Sequence, residues 1–331
     1  MDANRRAGVR SLADLATPMA IRVAATLGLA DRLAAGPATA QRLARQVDAD
    51  PDALGRLLDH LVTTGLLERD EGAYRLTALG EELQENRSRD WLDVAGAVGR
   101  GDLSFVDLLH SVRTGEPAYP VRNGRTFWED LDHDPHLARS FDALMARHTR
   151  TDVRGLAQSL DWGALRHVVD VGGGNGTLLA DLLTAHPGLR GTLVDLPGPA
   201  AQARRTFLER GLEGRADVVA GSFFDPLPAG AGAYLLSAVL HDWSDEAAVA
   251  LLTGCADAAG ARGRVMVVEA IGAGGEAPDT AMDLRMMVYM GGRERGLDAI
   301  AALGAKAGLG VRAVHPVPGR SFMSVVELAA A

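Results

Sequence analysis

The stretch LLSAVLHDWSDE, residues 235–246, carries a run of apolar, strand-like residues up to His241. Asp242, Trp243, Ser244 and Asp245 follow at once. A titratable ring where a buried strand opens into a turn has two readings. It is a packed histidine near a helix cap, or it is a proton acceptor aimed at a bound molecule. An acceptor poised near neutral pH would serve a reaction in which a weakly acidic hydroxyl must lose its proton to become a nucleophile.

A second stretch, VVDVGGGNGT (168–177), follows a strand and opens a helix. Its glycines let a ligand approach the backbone and the helix N-terminus. The dinucleotide fingerprint begun at Gly172 and Gly174 requires a further glycine where this chain has Thr177. Asp170 sits two residues before Gly172, where a carboxylate disfavours a pyrophosphate and suits a ligand carrying positive charge. Twenty-three residues beyond Gly172, in GTLVDLP, Asp195 stands where an acid takes the two hydroxyls of an adenosine ribose. Adenosine plus a cation, without phosphates, describes S-adenosylmethionine. The alternative is a structural glycine turn with a helix-capping aspartate.

These residues need a scaffold, and the chain supplies one from about residue 163. RHVVDVG, GTLVDL, DVVAGSF, AYLLSAVL and GRVMVVEA are short apolar strands, and helical stretches such as TLLADLLTAHP and EAAVALLTGCADAAG separate most of them. That alternation predicts a doubly wound parallel sheet with both faces covered. GVRAVHPV and SFMSVVELA, joined at Pro318-Gly319, predict an antiparallel final pair at one edge. The first half reads as helices. The segment from Ser11 to Gly36 has apolar residues every three or four positions, with an interruption expected near Pro18. TAQRLARQVDA, DPDALGRLLDHLVTTG and LLERDEGAYRLTALG predict a winged helix-turn-helix, its second helix opening at an Asp-Pro cap and its hairpin turning at Asp70-Glu71-Gly72. Residues 90–150 continue helically, with FWEDLDHDPHLARSFDALMARHTR as the clearest segment. The expected organisation is a helical, winged-helix domain over 1–98, a helical connector over 99–160, and a sheet domain over 161–331.

At 331 residues, 47% hydrophobic and 23% charged, the chain has the size and composition of a two-domain globular protein. One cysteine, Cys255, excludes an intrachain disulfide and a multi-cysteine metal site. The start MDANRRAGVR lacks an apolar signal core and no run approaches a membrane span, so a cytoplasmic protein without a membrane partner is expected. The winged helix raises DNA binding as a function. Residues 31–90 hold eight arginines and no lysine against twelve aspartates and glutamates, a net charge of −4, and the candidate recognition helix carries one arginine and two aspartates. Phosphate neutralisation needs the opposite balance, so a packing module is the favoured reading and no nucleic-acid partner is expected.

Taken in order, VDVGGGNG, LVDLP, GSFFDPLP, LHDWSDE, VVEA and GGRERG resemble the small-molecule S-adenosylmethionine-dependent O-methyltransferases of the plant caffeic-acid and acetylserotonin type, whose bacterial relatives tailor aromatic natural products. The resemblance runs over nearly the whole chain. It implies a Rossmann-like domain with a mostly parallel seven-stranded sheet and an antiparallel last strand, and a homodimer formed through the N-terminal domain. It also implies a reaction that turns S-adenosylmethionine into S-adenosylhomocysteine. The resemblance makes His241 the general base, flanked by Glu269 in VVEA and Glu294 in GGRERG. Gly172 and Asp195 match its loop glycine and ribose acid, Trp243 an aromatic near the adenine, and Phe223 an apolar residue beside that ring. Ser222 stands where the family usually has aspartate, and Ser237 where it often has lysine or arginine.

The acceptor pocket is expected between the middle helices and the sheet domain, with Phe141, Met145 and His148 on one side and Met286, Tyr289 and Met290 on the other. Met282, Met286 and Met290 fall four residues apart, which fits core packing as well as a pocket for a flat aromatic. Arg147 and Arg150 could meet an acidic group or be solvated. The resemblance favours an aromatic polyketide acceptor, such as a hydroxynaphthoate or a polycyclic quinone. No metal is expected to take part. Hydroxylation or decarboxylation on the same scaffold is the rival chemistry.

Overall fold

The computed structural model describes residues 8–85, 87–319 and 322–331; the side chains of residues 11, 146 and 148–154 lie outside the described set. The chain divides into two compact units between Leu103 and Ser104.

The first unit opens with α1 (Val9–Leu12), α2 (Ala16–Thr26) and α3 (Leu29–Ala34). The interruption expected near Pro18 lies elsewhere. Pro18 is the third residue of α2, where the amide it lacks would have had no intrahelical partner. Asp14 instead accepts the Ala16 and Thr17 amides, both at 3.1 Å, and starts the helix. The second break falls at Gly28, whose φ of 59° turns the chain into α3. Next come α4 (Ala40–Val47) and α5 (Pro51–Thr63), then β1 (Leu67–Asp70) and β2 (Ala73–Leu76), paired antiparallel with Leu67 opposite Leu76. Asp50 caps α5 by accepting the Ala53 amide at 2.8 Å, with Pro51 in the first helical position. This is the expected winged helix, closed on a core that includes Leu33, Leu43, Leu58, Leu61 and Tyr74. The unit ends with α6 (Arg89–Leu92) and α7 (Ala97–Asp102).

The second unit begins with α8 (Leu108–Thr114), α9 (Tyr119–Asn123), α10 (Phe127–His133) and α11 (Pro135–Ser159). The segment starting at Phe127, expected as continuous, is two helices. The ring of Pro135 disfavours helical backbone in the residue before it, and Asp134 takes φ −115° and ψ 103°. Its side chain then caps α11 by accepting the His136 amide at 2.8 Å.

The sheet is built from β3 (His167–Val171), β4 (Arg190–Asp195), β5 (Ala216–Ala220), β6 (Ala233–Ser237), β7 (Arg264–Ala270), β8 (Leu309–Pro316) and β9 (Met323–Ala330), in the order β5-β4-β3-β6-β7-β9-β8. The last strand, β9, runs antiparallel to both of its neighbours and lies inside the β8 edge. Alternate residues point to opposite faces. Val168, Leu193, Leu235 and Met266 pack with α12 (Thr177–Ala185) and α13 (Pro197–Glu209), whereas Val169, Val194, Leu236 and Val267 pack with α14 (Asp245–Ala259) and α16 (Leu297–Lys306). Helix α15 (Thr280–Tyr289) lies between β7 and α16 in the chain. Cys255 is buried in the second of these layers. Strand order reverses between β3 and β6, and the crevice outside the carboxyl ends of such a pair is where ligands bind in open α/β sheets.

Candidate active site

The glycine-rich stretch after β3 and the His241 stretch after β6 both leave the sheet at that reversal. After β3, Gly172, Gly174 and Gly176 take φ of 75°, 59° and 76°, a region that side chains disfavour. A Cβ on Gly172 would stand 3.0 Å from Val239 and 3.4 Å from the Phe223 ring, so the loop lies against the turn that follows β6. Asp195, at the end of β4, accepts the Gly174 amide at 2.8 Å and the Leu196 amide at 2.7 Å. Burial raises its pKa, and those two N–H groups work against the rise. Asp142 of α11, bonded to Gln202 of α13, joins burial in pushing that pKa upward.

Asp170 is buried beneath Gly173, and burial, aided by Asp195, raises its carboxyl to about 7. Its Oδ2 has no hydrogen-bond partner among the described residues. The indole nitrogen of Trp243 is likewise buried and unpartnered; the ring lies edge-to-face with Phe223 at 5.9 Å and Phe224 at 4.9 Å. An orphaned carboxylate oxygen beneath a glycine loop and an aromatic shelf beside it fit a ligand with a cationic centre and a flat heterocycle. That is the chemistry of S-adenosylmethionine. Ser222 accepts the Phe224 amide at 3.2 Å, so its hydroxyl shapes the turn carrying the shelf. Ser237 ends β6 and is half-buried.

The chain leaves β6 through Ala238, a non-glycine residue at φ 52°, a conformation costing on the order of 1–3 kcal/mol. Its amide donates to the Val268 carbonyl at 3.0 Å. The tight turn Leu240–Asp242 then presents His241. Nδ1 of the imidazole lies 3.1 Å from Glu269, at the end of β7, and 2.9 Å from Glu294, ahead of α16; both carboxylates are buried. Glu269 also accepts the His241 amide at 3.2 Å. The structure therefore joins the three residues that the resemblance names as base and flanking acids. Burial alone would lower the imidazole pKa, but the charges of Glu269 and Asp242 and the hydrogen bonds to Glu269 and Glu294 carry it well above the ordinary value of 6.5. His241, Glu269 and Glu294 are also the group of described side chains whose donor atoms, all within 4.8 Å, could close on a metal ion. The same closeness is what an imidazole N–H held by two carboxylates requires.

A third acid, not among the expected site residues, stands beside the ring. Asp242 places Oδ1 at 3.4 Å from Nε2 of His241, and burial lifts its carboxyl to about 7. Its only signal in the chain is adjacency to His241.

Of the expected pocket residues, Phe141 and Tyr289 are brought together through Phe127. Phe127 meets Phe141 edge-on at 5.4 Å and stacks on Tyr289 at 5.7 Å, while Trp128 meets Phe141 at 5.8 Å. Phe127 and Trp128 were not expected there; their signal was the capping box of Thr126 and Glu129, which fixes where α10 starts. Met286 is buried on α15, Met145 and Met282 are half-buried, and Met290 caps the end of α15, its amide donating to the Met286 carbonyl at 3.0 Å. Arg147 is half-buried rather than on an exposed face. The side chains of His148 and Arg150 lie outside the described residues.

Known proteins resemble this chain over nearly its whole length. An O-methyltransferase domain matches residues 105–310 and an O-methyltransferase dimerisation domain matches residues 10–86. The chain is 59% identical to the 2,7-dihydroxy-5-methyl-1-naphthoate 7-O-methyltransferase of Streptomyces carzinostaticus, over 98% of this chain and 97% of that one. It is 48% identical to the aclacinomycin 10-hydroxylase of Streptomyces purpurascens, over 91% of this chain and 83% of that one. The crystal structure of an O-methyltransferase from neocarzinostatin biosynthesis, in complex with S-adenosylmethionine and 2-hydroxy-5-methyl naphthoic acid, superposes with a TM-score of 0.94. It is 58% identical, covering 99% of this chain and all of that one. Family domains matched across both units, and such identity over nearly the full length, mean that the chain belongs to the S-adenosylmethionine-dependent O-methyltransferase family.

Proposed function

We propose that the protein moves the methyl group of S-adenosylmethionine to a hydroxyl of an aromatic acid of the hydroxynaphthoate class, with His241 as general base. The observation that carries the reading is the pair of buried carboxylates on Nδ1 of His241, at 3.1 and 2.9 Å. They hold the proton on that nitrogen and leave Nε2 to meet an acceptor. When bound, S-adenosylmethionine supplies an electrophilic methyl on a sulfonium. The chain's own residues do the rest. Nε2 takes the proton of the hydroxyl, whose pKa near 10 makes it a poor nucleophile at neutral pH. Glu269 and Glu294 stabilise the imidazolium that results. Oxygen bonds to the methyl carbon as the carbon–sulfur bond breaks, leaving a neutral thioether. Asp195 accepts from the ribose hydroxyls with lone pairs not used by the two amides, Gly172 lets the backbone approach, and Trp243 with Phe223 shelters the adenine. Phe127, Trp128, Phe141 and Tyr289 line the aromatic acceptor, with Met145, Met286 and Met290 beside them.

The first unit is proposed as the dimerisation element of a homodimer. The relative that is a hydroxylase shows that a similar chain can host other chemistry. Product mass therefore decides. With labelled S-adenosylmethionine and a panel of hydroxynaphthoates and hydroxyquinones, a labelled product heavier by one CH₂ is expected. A product heavier by one oxygen, or lighter by carbon dioxide, refutes the reading.

A further inference from the structure

The motif GGRERG gives the base turn more than Glu294. Arg295 is buried, with its side chain 2% exposed, inside the second unit. Its guanidinium donates to the Leu240 carbonyl at 2.8 Å, the Trp243 carbonyl at 2.7 Å and the Arg293 carbonyl at 3.3 Å. It also donates to Asp245 at 2.8 and 3.1 Å. Leu240 and Trp243 bracket His241 and Asp242, so one rigid cation grips the backbone on both sides of the base. The Arg293 backbone amide donates a hydrogen bond to the His241 carbonyl at 2.8 Å. A Cβ on Gly292 would fall 2.1 Å from that carbonyl oxygen, which is why the segment can come so close. The other end of the turn is Ala238 in its left-handed conformation, an arrangement that needs outside support.

We propose that Arg295 is a positioning residue for methyl transfer: it fixes the turn that carries His241 and, through the Trp243 carbonyl, holds the base at a set distance from the aromatic shelf of the cofactor site. The proposal rests on the reading of His241 as base. Arginine suits the task because its planar fork reaches several acceptors in fixed directions, whereas a lysine ammonium is a single point on a flexible stem. Asp245 neutralises the buried charge at the edge of the site.

The test compares Arg295→Gln, Arg295→Lys and His241→Ala, with Ile300→Val in the core of α16 as a control for lost stability. Arg295→Gln is expected to lower kcat by about ten- to a hundredfold, the cost of misplacing a reacting group by an ångström or less. The acceptor KM and the calorimetric Kd for S-adenosylmethionine should change by less than about threefold. Arg295→Lys should recover part of the turnover, and Ile300→Val should lower the melting temperature at unchanged kcat. If His241→Ala loses its turnover while Arg295→Gln stays within about twofold of the parent, the proposal falls and the base assignment stands. If His241→Ala keeps full turnover, both fall. Should Arg295→Gln fail to fold, Arg295→Lys and Asp245→Ala decide. Asp245 is half-exposed, and its loss frees the guanidinium from its carboxylate partner, with an expected fall in kcat of about two- to fivefold. Parental turnover in both variants overturns the proposal.

Discussion

As the proposed base, His241 must shed its resting proton before it takes one from an acceptor, and its neighbours make that harder. The carboxylates around it hold its pKa well above 6.5, so the protonated, inactive form persists past neutrality. A proposed base of this kind acts as the neutral imidazole, so kcat/KM should fall about tenfold for each pH unit below that raised value and level off above it. An acid limb centred below 6.5 in the pH–rate profile would contradict the geometry. His241→Ala should lower kcat by about two to four decades while nearly preserving cofactor affinity. Its remaining activity should climb with pH as free phenolate forms. Asp195 is proposed to act on binding instead. Asp195→Ala should weaken S-adenosylmethionine by about 1.5–3 kcal/mol in calorimetry, the range for hydrogen bonds to a charged group. Unchanged affinity in a folded variant would remove Asp195 from the ribose site.

At the scale of elements, the site depends on where helices begin. Thr126 accepts the Glu129 amide at 3.3 Å, and the Thr126 amide donates to the Glu129 carboxylate at 2.9 Å. This box starts α10, and α10 delivers Phe127 and Trp128 to the ring cluster with Phe141 and Tyr289. Thr126→Ala should cost about 1 kcal/mol in denaturant unfolding and raise the acceptor KM more than the cofactor Kd. Equal effects on both ligands would mean that the box supports the unit as a whole. The winged helix shows how an element can be legible while its use is not. Its helices and hairpin form as the sequence indicates, yet the acidic balance of residues 31–90 opposes DNA phosphates.

For the whole molecule, the exposed apolar residues of the first unit matter most. Val9 is 82% exposed, Leu12 77% and Leu15 69%, a contiguous sequence patch that would be an aggregation liability on a lone chain. A second copy covering it fits the dimerisation domain matched over residues 10–86. Light scattering at micromolar concentration should give twice the chain mass, and Leu12→Glu with Leu15→Glu should shift it toward the single chain. A single-chain mass for the parent would refute the dimer. Among the described residues no helix is long and apolar enough to cross a membrane.

Local rules in the chain set much of this protein. The strand-helix alternation after residue 163, the Asp50-Pro51 cap, the glycine loop and the Glu71-Gly72 hairpin were all legible, because hydrophobic period, capping and turn chemistry act within a few residues. The same locality misplaced the break at Pro18, since a proline in a first turn loses no hydrogen bond. It also ran one helix across Asp134-Pro135, since apolar periodicity continued through the cap. The insertion of β9 between β7 and β8 was beyond reach, because adjacency in a sheet is decided by which hydrophobic faces find cover. The convergence on His241 belongs to the same class. Glu269 and Glu294 lie 28 and 53 residues beyond it and were named through resemblance, whereas Asp242 and Arg295 went unread. Only the folded sheet brings two carboxylates onto one imidazole nitrogen and closes a guanidinium over the turn, because charge pairing and hydrogen bonding depend on distance in space and leave no period in the sequence.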